Sequence, residues 1–292
     1  MLTTSFVAGF GNQQTSYAIT RAVAEHNGYE FGFNPIPEYD MPHNYQSVPQ
    51  FDFLDISYGK QHTYKRDETP PFIQYIWYEK VEETHYPDGD FYRYFPYQPE
   101  VFNIPDNTKL YVANCQNALY YEPIKDKIRD WFRIKEENIK KYQQRLQELK
   151  IELDENFTVI HVRGKDFVDD KRILLPKEYY QNAMKIMVEK NPKMKFGVLT
   201  DDIKYANILF NGSVPVMQNE LGCDYFIFNN AKNIILSNSS FTLFPTWLNE
   251  NNPYIIAPRY WWRYNSSRGW LSSDVWTWGY NFLDKDGLLY DK

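Results

Sequence analysis

From residue 157 onward the chain alternates short apolar runs with amphipathic ones. Phe157-Thr158-Val159-Ile160-His161-Val162 reads as a buried strand. Lys177 to Glu189 has helical spacing, with Tyr180, Met184, Met187 and Val188 on one side. Phe196 to Leu199 is a strand ending in Thr200-Asp201-Asp202, and a helix follows. Val214-Pro215-Val216 reads as a short strand, residues 221–230 as a helix, Ile234 to Leu236 as a strand, Phe241 to Asn249 as a helix and Tyr254 to Ala257 as a strand. Strands alternating with helices predict an α/β fold with a doubly wound parallel sheet, whose ligands bind at the carboxyl ends of the strands.

The first half is less regular. Residues 3–24 read as a strand through Ala8, a turn at Gly9-Phe10-Gly11-Asn12, and a helix running to Glu25. Glycines at such a turn let the backbone come close to a ligand, although this is not the GxGxxG fingerprint. Residues 30–110 are rich in Pro, Tyr, Asp and Asn and predict loops and short helices. Residues 122–150 predict a helix with Ile124, Ile128, Trp131 and Phe132 on one face and charges on the other. That charged stretch is the expected connection between an N-terminal α/β domain with an irregular insert, 1–150, and a C-terminal Rossmann-like domain, 151–292.

Composition narrows the function classes. The chain has 292 residues, 43% of them hydrophobic, which is ample for one large or two modest cores. Aromatic residues make up 18%, a surplus that suits carbohydrate or nucleotide clefts as well as packing. A net charge of −6 argues against a nucleic-acid partner, because no basic face is available to neutralise phosphates. Cys115 and Cys223 are the only cysteines and lie far apart, so neither a disulfide framework nor a zinc site is implied. The N-terminal MLTTSFVAGFG lacks a basic, apolar leader pattern, and no run reaches about 18 apolar residues. The expectation is a soluble, cytoplasmic protein with no transmembrane segment.

Three strand ends carry polar residues that a core disfavours. They are His161-Val162-Arg163-Gly164-Lys165-Asp166, Thr200-Asp201-Asp202, and the stretch from Asp224 through the strand to Ser237-Asn238-Ser239-Ser240. Arginine forks onto phosphate oxygens. Serine hydroxyls and helix-end N–H groups cradle a pyrophosphate, and a carboxylate accepts the paired donors of a guanine edge. The inventory therefore suits a nucleoside diphosphate. Plainer readings stand beside it: an ion pair between Arg163 and Asp166, helix N-caps at Asp201, Asp202 and the serines, and a hydrogen-bonded structural role for His161.

The same residues resemble a family. Ala8-Gly9-Phe10-Gly11-Asn12-Gln13 with Tyr17-Ala18 is similar to the GGLGNQ…YA of the α-1,2-fucosyltransferases, and Cys115-Gln116 through Tyr120-Tyr121-Glu122 is similar to their FQSEKYF segment. His161 to Phe167 resembles HVRRGDY, and Leu199-Thr200-Asp201-Asp202 resembles FSDD. Asp224, Asn233-Ile234-Ile235, Asn238 to Phe241, Trp247-Leu248-Asn249 and Ile256-Ala257-Pro258 follow the long third motif with its IIANSSFSWWGAWLN core. Three departures stand out. Gly164-Lys165 replaces the pattern's Arg-Gly, Leu243-Phe244-Pro245 replaces Trp-Trp-Gly, and the Trp-rich tail (Trp261, Trp262, Trp270, Trp276, Trp278) is unlike the usual ending.

The resemblance implies a GT-B-like architecture, two Rossmann-like domains facing a cleft, with the acceptor on the N-terminal side and the GDP-sugar on the C-terminal side. It implies inverting, metal-independent transfer of L-fucose from GDP-β-L-fucose to a sugar hydroxyl of an oligosaccharide or glycan acceptor, with no cofactor besides the donor substrate. The donor would meet Gly11, Asn12, His161, Arg163, Thr200, Asp201, Asp202, Asp224, Asn238, Ser239, Ser240 and Phe241. Catalysis would fall to Arg163 and, as base, Asp166 or Asp170, with Asp169 a further candidate. Two other expectations remain open: a metal-dependent transferase using Asp88-Gly89-Asp90, and a catalytically impaired binding relative.

Overall fold

The computed structural model describes residues 1–4, 6, 8–33, 49–60, 75–77, 80, 82–85, 91–94, 96–110, 115–261, 270–271 and 275–290. The expected Asp88-Gly89-Asp90 metal motif and Trp262 lie outside them. In chain order the elements are β1 (Leu2–Thr4), α1 (Phe10–Asn27), β2 (Tyr75–Trp77), β3 (Glu82–His85), β4 (Phe91–Tyr94), β5 (Thr108–Leu110), α2 (Lys125–Trp131), α3 (Glu136–Leu149), β6 (Phe157–Val162), α4 (Asp166–Asp169), α5 (Lys177–Lys190), β7 (Lys195–Thr200), α6 (Ile203–Phe210), β8 (Val216–Met217), α7 (Leu221–Asn230), β9 (Asn233–Ile235), α8 (Leu243–Trp247), β10 (Tyr254–Pro258), β11 (Trp270–Leu271), β12 (Asn281–Leu283) and β13 (Leu289–Tyr290). They form two compact units, Met1–Glu82 with Tyr94–Lys135, and Glu83–Arg93 with Glu136–Lys292.

The first unit holds a small parallel sheet in the order β1-β5-β2. Helix α1 ends at Gly28, whose φ of 69° lets its N–H reach back to the last turn of the helix. Part of the aromatic surplus goes into this core: Tyr17 stacks on Phe33 with centroids 4.7 Å apart, and Phe6, Phe10, Phe51, Phe53 and Phe132 surround them. Geometries of this kind add to plain area burial.

The predicted helix over 122–150 is broken. Helix α2 stops at Trp131 because Ile134 bridges to Leu54, while Asp55 N–H donates to Arg133 O and Lys135 N–H to Phe53 O. Tertiary strand pairing overrides helical periodicity there. Helix α3 then packs in the second unit, with Tyr142 against Phe226 of α7.

The second unit is built on a seven-stranded sheet ordered β13-β12-β10-β9-β6-β7-β8, parallel except for β13. Counting its six parallel strands along the chain as 1 to 6 gives 3-2-1-4-5-6, the order of a doubly wound Rossmann sheet. The strand order reverses between β6 and β9, so their carboxyl ends form the topological switch point, where such sheets bind ligands. The α/β class with a parallel sheet is therefore present.

Ile160, Val162, Val198, Ile235 and Ile256 from the sheet pack with Tyr179, Tyr180, Ala183 and Met187 of α5. Val188, expected on that buried side, is exposed. The predicted helix 241–249 is shorter, a 3-10 turn at Ser240–Thr242 followed by α8. Leu243-Phe244-Pro245, the departure from Trp-Trp-Gly, is fully buried, and Phe244 meets Trp247 and Trp278 edge-on. That departure therefore falls in the core. Among the described residues no helix is long and apolar enough to cross a membrane.

Candidate active site

Arg163 is the first residue beyond β6, at the switch point. Its side chain is a third exposed and is held by two carboxylates: one guanidinium nitrogen donates to Asp201 and another to Asp166 at 2.6 Å. Its guanidinium carbon also lies 5.5 Å from the Phe167 ring centroid. Asp201, at the end of β7, takes the Gly164 N–H at 2.7 Å as well. One carboxylate thus fixes both the arginine and the loop that carries it.

Asp202 caps α6, accepting the Tyr205 N–H at 2.9 Å, and takes the Lys165 N–H at 3.3 Å. The expected N-cap role of Asp202 is therefore met, and the expected Arg163–Asp166 ion pair exists beside it. A Cβ on residue 164 would lie 2.3 Å from the Asp202 Cβ, so this loop geometry admits only glycine there. Gly164 in place of the pattern's second arginine follows from that close approach.

Beneath these groups lies a buried layer. His161, expected to contact a donor, is instead enclosed by Phe228 and Phe241, and its Nδ1 shares a 2.8 Å hydrogen bond with the Ser237 hydroxyl. Burial, with help from the Arg163 charge, pushes its pKa down to about 3, so the ring is neutral. Asn238 is buried and donates to Ile173 O at 2.8 Å. Thr200 is buried and accepts the Asp202 N–H at 3.0 Å. All three are buried.

The other strand end stays available. Ser239 and Ser240 are half-buried, and their hydroxyls make no hydrogen bond among the described residues. The N–H groups of Ser239 and Thr242 are already spent on Ser237 O and Ser239 O, so only part of the predicted N–H cradle is free. The ring of Phe241 packs on Phe228 and His161.

Asp224 stands in the first turn of α7. Its carboxyl is pushed up to about 7, first by burial and then by the negative charge of Asp201, while a 3.0 Å hydrogen bond from Asn219 opposes the rise. Asn219 in turn accepts from Arg145 Nε of α3 at 3.2 Å, which orients its amide so that the NH2 faces Asp224. The sequence reading missed this Arg145–Asn219–Asp224 chain; neither residue sits in a motif, and only the packing of α3 on α7 brings them together.

The base candidates differ. Asp170 is engaged by Arg172 through two contacts of 2.7 and 2.6 Å. Asp169 is exposed, and Asp166 is exposed and paired only with Arg163 among the described residues. Gly11 and Asn12 belong to the first unit, inside the first turn of α1. The Asn12 N–H is spent on Gly9 O, and its side chain accepts from Gln116 Nε2 at 3.2 Å. Two of the segments that carried the resemblance therefore touch there.

This arrangement puts one arginine and two free hydroxyls at the strand ends of the switch point, with a half-buried carboxylate in the first turn of α7, beyond β8. A family model described as Glycosyl transferase family 11 matches residues 82–274. The chain is similar to the O-antigen biosynthesis glycosyltransferase WbnK of Escherichia coli, 24% identical over 216 residues that cover 67% of this chain and 68% of that protein. It is also similar to an alpha-1,2-colitosyltransferase of Escherichia coli, 31% identical over 119 residues, or 36% of this chain and 41% of that protein. Among solved structures, apo POFUT1 aligns over 85% of this chain and 93% of its own, at 13% identity and a TM-score of 0.47.

Proposed function

The chain belongs to glycosyl transferase family 11 and is a glycosyltransferase, and from that premise we propose that it moves L-fucose from GDP-β-L-fucose to a sugar hydroxyl of a glycan acceptor, with inversion and without a metal ion. The observation that carries this reading is Arg163 after β6 at the switch point, with hydroxyls of Ser239 and Ser240 after the neighbouring β9 that have no partner among the described residues. In an inverting displacement the acceptor oxygen forms a bond to C1 of the fucose as the C1–O bond to the β-phosphate breaks. The electron pair leaves on the phosphate oxygen, and the acceptor's proton passes to a base.

A planar guanidinium holding two phosphate oxygens meets the charge that grows on the leaving group. One preorganised donor of this kind contributes about 3–4 kcal/mol in catalysis. Asp201, less exposed than Asp166, keeps Arg163 aimed. The diphosphate competes with Asp166 for the guanidinium, and the freed Asp166 carboxylate is then the base assigned here. Asp224 is the carboxylate that accepts guanine's N1–H and N2–H₂.

The similar colitosyltransferase makes colitose the sugar to test beside fucose. The experiment is a transfer assay with the GDP-linked sugars against a panel of glycans, with and without EDTA. Transfer from GDP-fucose that survives EDTA is the expected result. Loss in EDTA with rescue by Mn²⁺ contradicts the metal-free reading.

A further inference from the structure

Residues 164–167 form a β-turn closed by the Phe167 N–H donating to Gly164 O at 2.8 Å. Lys165 occupies the first central position with φ 38° and ψ −116°. That combination belongs to glycine in a type II′ turn, because any Cβ crowds the backbone there. Several contacts hold it in place: Asp201 takes the Gly164 N–H, Asp202 takes the Lys165 N–H, and the Val168 N–H donates to Lys165 O at 3.1 Å. A glycine would sit here without cost, yet the chain has a lysine.

Strain of this kind persists where the surroundings over-determine it, and it clusters at functional sites. The Lys165 side chain is exposed, and its ammonium forms no ion pair among the described residues. Neighbouring Arg163 is engaged by two carboxylates, and residue 164 has no room for a side chain. The loop thus carries its only unengaged cation among the described residues at the one position where a cation is conformationally expensive.

The geometry points to Lys165 as a second cationic contact for the donor's diphosphate, standing in for the side chain that residue 164 cannot carry. This inference rests on the proposed GDP-sugar donor. An ammonium on a four-carbon stem is a mobile point charge, so it follows the diphosphate without the directional fork of Arg163.

Two variants test it, with GDP and GMP titrated calorimetrically and melting temperature recorded. Lys165→Gly removes both charge and strain, and Lys165→Met removes the charge while keeping the backbone cost. The expected result is a loss of about tenfold in GDP affinity for both variants and less than about threefold for GMP. A rise in Tm of about 2–5 °C is expected for Lys165→Gly alone. Variants that bind GDP as wild type does, or that lose GMP as strongly as GDP, overturn the role of Lys165 and leave the donor reading standing. A wild-type protein indifferent to GDP overturns both.

Discussion

Two strand ends of the same sheet treat charge in opposite ways. Beyond β10 and β12, Arg259 and Asp284 are each 5% exposed and committed to structure. Asp284 Oδ1 accepts the N–H groups of Asp286 and Leu288, and the Arg259 guanidinium lies 3.8 Å from the centroid of the Tyr290 ring. At the switch point, Arg163 is 33% exposed and its partners Asp166 and Asp201 are 66% and 21% exposed. Buried charge held by backbone N–H groups, as at Asp284, or against a ring face, as at Arg259, organises the local fold. Charge that is a third exposed and paired in part with an exposed carboxylate, Asp166, can exchange that partner for an incoming anion, and that difference marks the site.

The comparison breaks most visibly through Arg163→Lys. Losing the planar fork at a charge that develops in the transition state predicts a fall in kcat of roughly 10²-fold or more, with melting temperature nearly unchanged. Arg259→Lys predicts the reverse, a lowered melting temperature with turnover per folded molecule retained. Kinetics and thermal melts on both variants check this. If Arg163→Lys loses stability and keeps turnover, the guanidinium is scaffolding like that of Arg259.

A smaller effect sharpens the contrast by pH. The Asp224 carboxyl, pushed up to about 7 chiefly by burial, must be ionised to accept guanine's donors. GDP should therefore bind about tenfold more tightly at pH 8 than at pH 6, by single-site linkage. The sign for stability is opposite. The raised carboxyl binds more protons folded than unfolded, so its contribution to stability falls as pH climbs from about 4 to about 7 and is level above that. Asp224→Asn should flatten both slopes, and a GDP affinity that keeps its pH dependence in that variant removes Asp224 from the guanine contact.

Much of the second unit was legible from sequence because its strands are short, apolar, mostly buried and bounded by polar ends, as in Phe157–Val162 and Lys195–Thr200. The break between α2 and α3 was not, since Ile134 leaves helical geometry only to pair with distant Leu54. The site was legible as a set of residue types at strand ends, and Asp201, Arg163 and Asp166 do meet there. Which members face solvent was hidden. His161 is an interior strand residue whose polar atom is satisfied by Ser237, and Asn238 turns inward to Ile173. Gly164 stood out in the sequence only as a departure from the motif, and the Asp202 Cβ beside it accounts for the missing side chain.

The most direct measurement is a titration of the wild-type protein with GDP and UDP under matched conditions at pH 8. Both carry the same diphosphate for Arg163, and only guanine offers the paired N–H donors that suit Asp224. The account predicts that GDP binds more tightly by about 1–3 kcal/mol, roughly 5- to 150-fold, by analogy with base-edge readout. Equal affinity for the two nucleotides contradicts it.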